Sequence, residues 1–270
     1  MVVQHNMAAM NTNRQLGLST TALAGHTEKL SSGYKVNRAS DDAAGLSISE
    51  KMRSQIRGLK KASENAQNGI SLIQTAEGAL NETHAILQRM NELSTQAATD
   101  TNTSDDRSAI KNELDQLTSE INRIYSTTQF NTMNLIDGSF TGKKLQVGSL
   151  SGQVIDVSIG KMDATSLGVS ALTVSKNTTA GAAMSKVQAA IKTVSSERSK
   201  LGALQNRLNH TIKNLDTAAE NTQAAESRIR DTNMAEEMVS YSATSIIQQA
   251  GQAMLAQANS QTQGVMSLIR

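Results

Sequence analysis

From Asp42 to Ala98, apolar residues return every three or four positions, at Met52, Ile56, Leu59, Ala66, Ile70, Ile73, Leu80, Leu87, Met90 and Ala97. That spacing is one narrow helical stripe, and the polar steps at Ser63, Glu77, His84 and Ser94 weaken it without shifting its phase. None of the 270 residues is proline, so nothing in the covalent chain forces a helix to stop or kink. A second stripe follows at Ile110, Leu114, Leu117, Ile121 and Ile124, with "TDTNTSDD" as the turn between them, and the two segments predict a helical hairpin. A third, Met184, Val187, Ile191, Val194, Leu201, Leu208, Ile212, Leu215 and Ala219, is as long as the first. At 1.5 Å per residue the first and third helices would each run about 75 to 85 Å, lengths that predict a rod rather than a globule.

Composition supports the helical reading. The chain is 38% hydrophobic yet has only three Tyr, two Phe and no Trp, which is helix-forming material with few large residues for a globular core. Asp41 and Asp42 stand where a helix start prefers anionic caps, and so do Asp105 and Asp106; "LSSGYKVNRAS" before the first pair reads as a connector. Gly58, Gly69 and Gly78 interrupt the first long helix, where each costs about 1 kcal/mol relative to Ala. They are either tolerated surface positions or places where another helix approaches closely. Between Asn131 and Gly181 the pattern changes: "KLQVG", "QVIDVSIG" and "GVSALTV" read as short strands with turns between them, too short to hold a core of their own.

Both ends of the chain are poor in charge. From Met1 to Thr27 the only charged side chain is Arg14, and Leu16, Leu23 and Leu30 stand seven apart, with Val3, Met7 and Met10 extending their face. From Met238 to Ile269, 32 residues pass without Asp, Glu, Lys or Arg, yet that run holds six Gln. Hydrocarbon would leave those amides without partners at roughly 2 to 7 kcal/mol each, so the run does not read as a membrane span. A buried but partly polar protein interface fits it better. Isolated amphipathic helices depend on packing, so the two ends should pair with each other and with copies of themselves. Leu16, Leu23, Leu30, Ile247, Leu255 and Leu268 are the residues expected to carry that association. "RDTNMAEEM" reads as the junction before the last helix, with Asn233 and Glu236 spaced as a capping box.

The pattern excludes several functions. Lys and Arg number 26 against 24 Asp and Glu, so there is no electrostatic footprint for nucleic acid, and no aromatic cluster on which bases could stack. The absence of Cys removes disulfides, thiolate catalysis and the common zinc sites. His5, His26, His84 and His210 fall at no metal-ligand spacing, "GSFTGKK" lacks the spacing of a phosphate-binding loop, and no nucleophile or metalloprotease motif is present. No catalytic, cofactor or metal site is expected. "MVVQHNMAAMNTNR" lacks the features of a secretory signal peptide, leaving a cytoplasmic protein or one exported by another route.

"EKLSSGYKVNRASDDAAGLSISEKMRSQIRGL" closely resembles bacterial flagellin, and "ENAQNGISLIQTAEGALNE", "ILQRMNELSTQAA", "INRIYSTTQFN" and "IIQQAGQAMLAQANSQTQGVMSLIR" resemble the same family in the same order. The likeness covers both ends and nearly everything between. In the middle, where many flagellins carry large variable outer domains, only a short β segment stands.

The resemblance implies a mainly α fold: an elongated rod of long antiparallel helices with a small β segment, plus a terminal two-helix coiled coil lining the filament channel. The expected division is 1–40 as N-terminal core helix and connector, 41–140 as rod helices, 141–180 as β region, 181–230 as rod helix and 231–270 as C-terminal core helix. The implied function is a structural subunit that polymerises into the flagellar filament. It would be exported unfolded by the flagellar export machinery, with a chaperone and a filament cap as partners, and would be extracellular. A hook–filament junction protein, or another secreted helical-rod protein, is the nearest alternative. The resemblance also implies recognition by vertebrate Toll-like receptor 5 through Gln88, Arg89 and Leu93 of "LQRMNEL" and Glu113 of "IKNEL", and Arg89 and Leu93, four apart, are expected to share one face of the helix.

Overall fold

The computed structural model describes residues 6–269, with the backbone alone for 262–269. Among the described residues the chain forms five helices, α1 (Met7–Ser32), α2 (Ala43–Ala97), α3 (Ser104–Thr127), α4 (Asn177–Arg230) and α5 (Met234–Ile269), and four short strands. It divides into two compact units, one built from Met1–Ser54 with Asn221–Arg270 and the other from Gln55–Glu220.

In the Gln55–Glu220 unit the two long stripes meet antiparallel. Leu59 and Ala62 pack with Leu215 and Ala219, Ser63 Oγ donates to Asp216 at 3.0 Å, Arg198 lies 3.8 Å from Glu77, and Thr95 reaches Met184. The α4 partner number falls steadily as the α2 number rises, and the stretch of α2 in this unit spans about 65 Å. The α3 stripe joins them through Ile110, Leu114 and Ile121 in one core with Leu80, Leu87, Leu201 and Leu208. Thr103 caps α3 in a reciprocal capping box with Asp106, whose pKa is lowered by the hydrogen bond from the Thr103 hydroxyl and then by that from its backbone N–H. Asp42 Oδ1 accepts from Gly45 N–H at the start of α2, as a cap should. Asp41 instead accepts from the backbone N–H groups of Asn37 and Arg38 in the connector, and these bonds lower its pKa.

The β region differs from its sequence reading in two ways. A hairpin of β1 (Gln129–Phe130) and β2 (Met133–Asn134) falls within 41–140, the span assigned to rod helices, and straddles Asn131, where the sequence pattern changes; its two-residue turn puts Asn131 at φ 48° and Thr132 at φ 62°. The strands expected in "KLQVG" and "QVIDVSIG" form as β3 (Lys143–Gln146) and β4 (Val154–Val157), paired antiparallel with Lys143 opposite Val157. "GVSALTV" is not a strand. Val169, Leu172 and Val174 are buried, but the backbone between Ile159 and Val174 has no ladder partner. It is held piecemeal, with Ile159 N–H donating to the Phe140 carbonyl, Met162 N–H to that of Ile136, Ala164 N–H to Asn122 Oδ1, and a turn at Gly168. Its alternating apolar residues drop individually into the core shared with the helices, so burial without pairing produced the strand-like pattern.

Two of the three helix glycines mark close approach, though by the β3–β4 hairpin rather than by a helix. A Cβ on Gly58 would stand 2.8 Å from Ser149 Cβ, and one on Gly69 would stand 2.5 Å from Leu145 Cδ1, whereas Gly78 faces open space.

Candidate functional site

The unit that contains the termini is built on α1 and α5. Asn6 caps α1 by accepting from Ala9 N–H, and its amide donates to the Ala258 carbonyl at 2.9 Å. Gln248 donates to Thr20 Oγ1, His26 Nδ1 lies 2.6 Å from Glu237 Oε1, and Tyr34 pairs with Asp231 in an antiparallel bridge. The partner number again falls as the α1 number rises, so α1 and α5 run antiparallel. Leu16, Leu23, Leu30 and Leu255 are all half-buried, and Leu16 lies within contact of the Gly251 position. These leucines form a seam between the two helices of one chain.

The end of that pair is fastened at Tyr34. Gly33, at φ 76°, closes α1; its carbonyl accepts from Thr232 N–H, and Lys35 N–H donates to the Arg230 carbonyl at 2.7 Å. The Tyr34 ring lies between two guanidinium groups, Arg53 at 5.5 Å and Arg230 at 4.9 Å from its centroid, and Arg53 donates to its hydroxyl at 3.0 Å. Arg53 Nε also stands 3.1 Å from Glu226 Oε1, an ion pair whose angles fall short of a hydrogen bond, and Arg230 pairs with Glu50. Asn233 Oδ1 accepts from Ala235 N–H, giving the start of α5 an Asx turn; no bond from Glu236 completes the box read in the sequence.

What the seam leaves uncovered is the other side of each helix. Met7, Met10 and Leu18 on α1, and Met234, Met238, Val239, Ile246, Ile247 and Met254 on α5, are exposed large apolar residues. At about 100° per residue, Leu18 lies about 20° round α1 from Met7, while Leu16, Leu23 and Leu30 lie about 140 to 180° away. On α1 the heptad leucines are therefore occupied within the chain and the open apolar residues stand nearly opposite them, whereas on α5 the exposed residues stand from about 60° (Met234) to about 180° (Ile246) round from Leu255. Ile247, grouped with the leucines in the sequence reading, belongs to the open face, about 80° round from Leu255. The Leu268 side chain and Val3 lie outside the described residues. Seven-residue spacing does not mark Leu18, Val239, Ile246 and Met254, because the uncovered residues are spread widely round the helix.

The four residues named for receptor recognition lie in the other unit. Arg89 donates to Glu113 across the α2–α3 hairpin, with Nη2 at 2.9 Å from Oε1, and to Glu92 on its own helix; these bonds raise its pKa, that to Glu113 most. Gln88 is exposed beside His84, with 3.1 Å between their nitrogens. Leu93, expected on the same open face as Arg89, is instead 2% exposed and part of the core. Four residues advance a helix by about 400°, and that extra 40° turns Leu93 inward.

No group of three or more His, Cys, Asp or Glu that could hold a metal occurs among the described residues, and none of their helices is long and apolar enough to cross a membrane. Residues 3–141 match the family profile for the bacterial flagellin N-terminal helical region, and residues 184–269 match that for the bacterial flagellin C-terminal helical region. The chain is 53% identical over 272 residues to a flagellin of Halalkalibacterium halodurans, covering 100% of both. It is 48% identical over 286 residues to the flagellar filament 31.3 kDa core protein of Treponema maltophilum, again covering 100% of both. The crystal structure of Bacillus cereus flagellin superposes with a TM-score of 0.52 at 32% identity, over 60% of this chain and 94% of that one. The paired terminal helices, the α2–α3–α4 layer and these full-length likenesses agree: the chain belongs to the bacterial flagellin family.

Proposed function

We propose that this chain is a structural subunit that polymerises into the flagellar filament outside the cell, and that the open face of its terminal helices carries the assembly. The uncovered apolar face of α1 and α5 supports the reading most directly. Large apolar side chains left in water along both helices mark a surface that association would cover. From Met238 to the last described side chains, α5 carries amides and hydroxyls but no charge, so identical copies can stack without setting like charges opposite one another in every repeat. A head-to-tail contact that does not close produces a helical polymer. The name of the Treponema maltophilum relative, a flagellar filament core protein, points the same way. Passage unfolded through the flagellar export machinery, with a chaperone before it and a filament cap at its end, fits a chain free of cysteine. Deleting residues 248–270 should leave a soluble, helical monomer that no longer extends filament seeds. Filaments of normal stability from the truncated chain, seen by electron microscopy or sedimentation, would overturn the proposal.

A second reading concerns Toll-like receptor 5. Arg89 and Glu113, on successive helices, form one exposed charged pair, and the exposed Gln88 precedes Arg89 on α2, which supports a polar docking surface for the receptor. Leu93 would then act from beneath, by setting the position of the helix.

A further inference from the structure

Nine large apolar side chains stand exposed on α1 and α5 among the described residues, and five of the nine are methionines. Met7 is 68% exposed, Met10 63%, Met254 61% and Met238 50%, with Met234 just below them. Two other methionines, Met90 at 0% and Met162 at 5%, are sealed in the core of the Gln55–Glu220 unit. The chain contains neither Cys nor Trp, so its thioethers are its most readily oxidised side chains, and exposure decides which of them an oxidant reaches first.

We propose that Met7, Met10, Met238 and Met254 are oxidant-sensitive positions spread along the two terminal helices, together a patch in the sense of one exposed set, and that their conversion to sulfoxides by a hydroperoxide switches off self-association of the unassembled subunit. This inference rests on the filament reading above. In the reaction the thioether sulfur attacks one peroxide oxygen: an S–O bond forms as the O–O bond breaks. Sulfur loses two electrons, the peroxide gains them, and with hydrogen peroxide the departing hydroxide takes a proton and leaves as water. A methionine sulfoxide reductase reverses the change.

The consequence follows from where the four residues stand. A sulfoxide is polar, and burying it against a second copy is unfavourable unless the neighbour supplies a hydrogen-bond donor. Leu18, Val239, Ile246 and Ile247 supply none, and an exposed amide such as that of Gln249 or Gln252 that turns to a sulfoxide gives up its own contact with the second copy. The seam within the chain is untouched, because Leu16, Leu23, Leu30 and Leu255 contain no sulfur and Met7 lies on the opposite side of α1. An oxidised subunit therefore fails to add to a filament. A subunit already incorporated has its patch covered.

The test uses the full chain as monomer. Treat it with graded hydrogen peroxide, map sulfoxides by peptide mass spectrometry, then add filament seeds and follow elongation by sedimentation. Sulfoxides should gather at Met7, Met10, Met238 and Met254 before Met90 and Met162, and elongation should fall about tenfold or more as the patch fills. In a partly oxidised sample, patch sulfoxides should be enriched in the unincorporated fraction. A variant with all four methionines changed to leucine, measured against its own untreated rate, should lose its sensitivity to peroxide. If that variant does not elongate at all, the partition in the parent protein decides alone: equal sulfoxide content in pellet and supernatant overturns the inference. Failure of the untreated parent to elongate seeds removes the filament reading, and this inference with it. Elongation by the parent that is unchanged by full patch oxidation overturns the redox switch and leaves the filament reading standing.

Discussion

Alanine at Gly58, Gly69 and Gly78 makes the same substitution three times in one helix and should give three different results. In an unobstructed helix interior, Gly to Ala stabilises by about 1 kcal/mol, because Ala gives up less backbone freedom on folding. Gly78 meets nothing within 4 Å of its added Cβ, so Gly78→Ala should realise the whole gain and raise the melting temperature by about 2 to 4 °C. At Gly69 the new methyl would stand 2.5 Å from Leu145 Cδ1, the far end of a half-buried side chain. Moving that tip off its rotamer costs about 0.5 to 1.5 kcal/mol, which cancels the gain.

Gly58 has no such escape. Its neighbours are Ser149 Cβ at 2.8 Å and Ser149 Cα at 3.2 Å, and the loop that carries Ser149 is tied across itself. Gln146 Nε2 donates to the carbonyls of Gly148 and Leu150 at 2.8 and 2.7 Å, and Leu150 N–H donates to Gln153 Oε1 at 3.1 Å. Displacing backbone in a packed site costs about 1 to 3 kcal/mol, so Gly58→Ala should be destabilised by about 1 kcal/mol net. Thermal and urea unfolding of the monomer, followed by circular dichroism, gives the ranking Gly78→Ala above Gly69→Ala above Gly58→Ala. Equal stabilisation by all three would refute the packing of the β3–β4 loop on α2.

Two further outcomes are expected. Arg89→Ala should weaken binding to the purified Toll-like receptor 5 ectodomain by at least about tenfold while leaving helicity nearly unchanged, with Lys192→Ala as a surface control; parent-like binding by Arg89→Ala would remove that site. Asp106 has a lowered folded-state pKa, so its contribution to the start of α3 is fully present above the unfolded carboxylate value of about 3.9 and is lost as pH falls through the lower folded value. Hydrogen exchange at the Thr103 amide, which donates to Asp106 Oδ2 at 2.9 Å, should accelerate across that window in the parent and stay level in Asp106→Asn; identical profiles would refute the assignment.

The long helices were legible because a stripe at three- and four-residue spacing is a property of the chain itself, and no proline contradicts it. Met52 to Ala97 became α2, Ile110 to Ile124 became α3 and Met184 to Ala219 became α4, each with its most regular apolar positions buried. The cap at Asp42 was equally local, as was the place of Asp106 at the start of α3, although the cap there is Thr103, which the pair of aspartates did not single out. What failed depended on partners distant in sequence. "GVSALTV" has the alternation of a strand, but a strand needs a neighbour, and that stretch finds only single bonds and a core to fill. The hairpin at Gln129–Asn134 was hidden because its turn uses Asn131 and Thr132 at positive φ, where glycine would have announced it. Leu93 was read outward because one helix seen alone has no inside; the neighbouring layer made its 40° decisive. The same holds at the termini. Sequence showed that α1 and α5 lack charge and must be covered, but only their antiparallel pairing decided which residues each helix spends on the other and which apolar face it leaves in water. Periodicity is written along one chain, whereas the choice of which face is buried belongs to the pair.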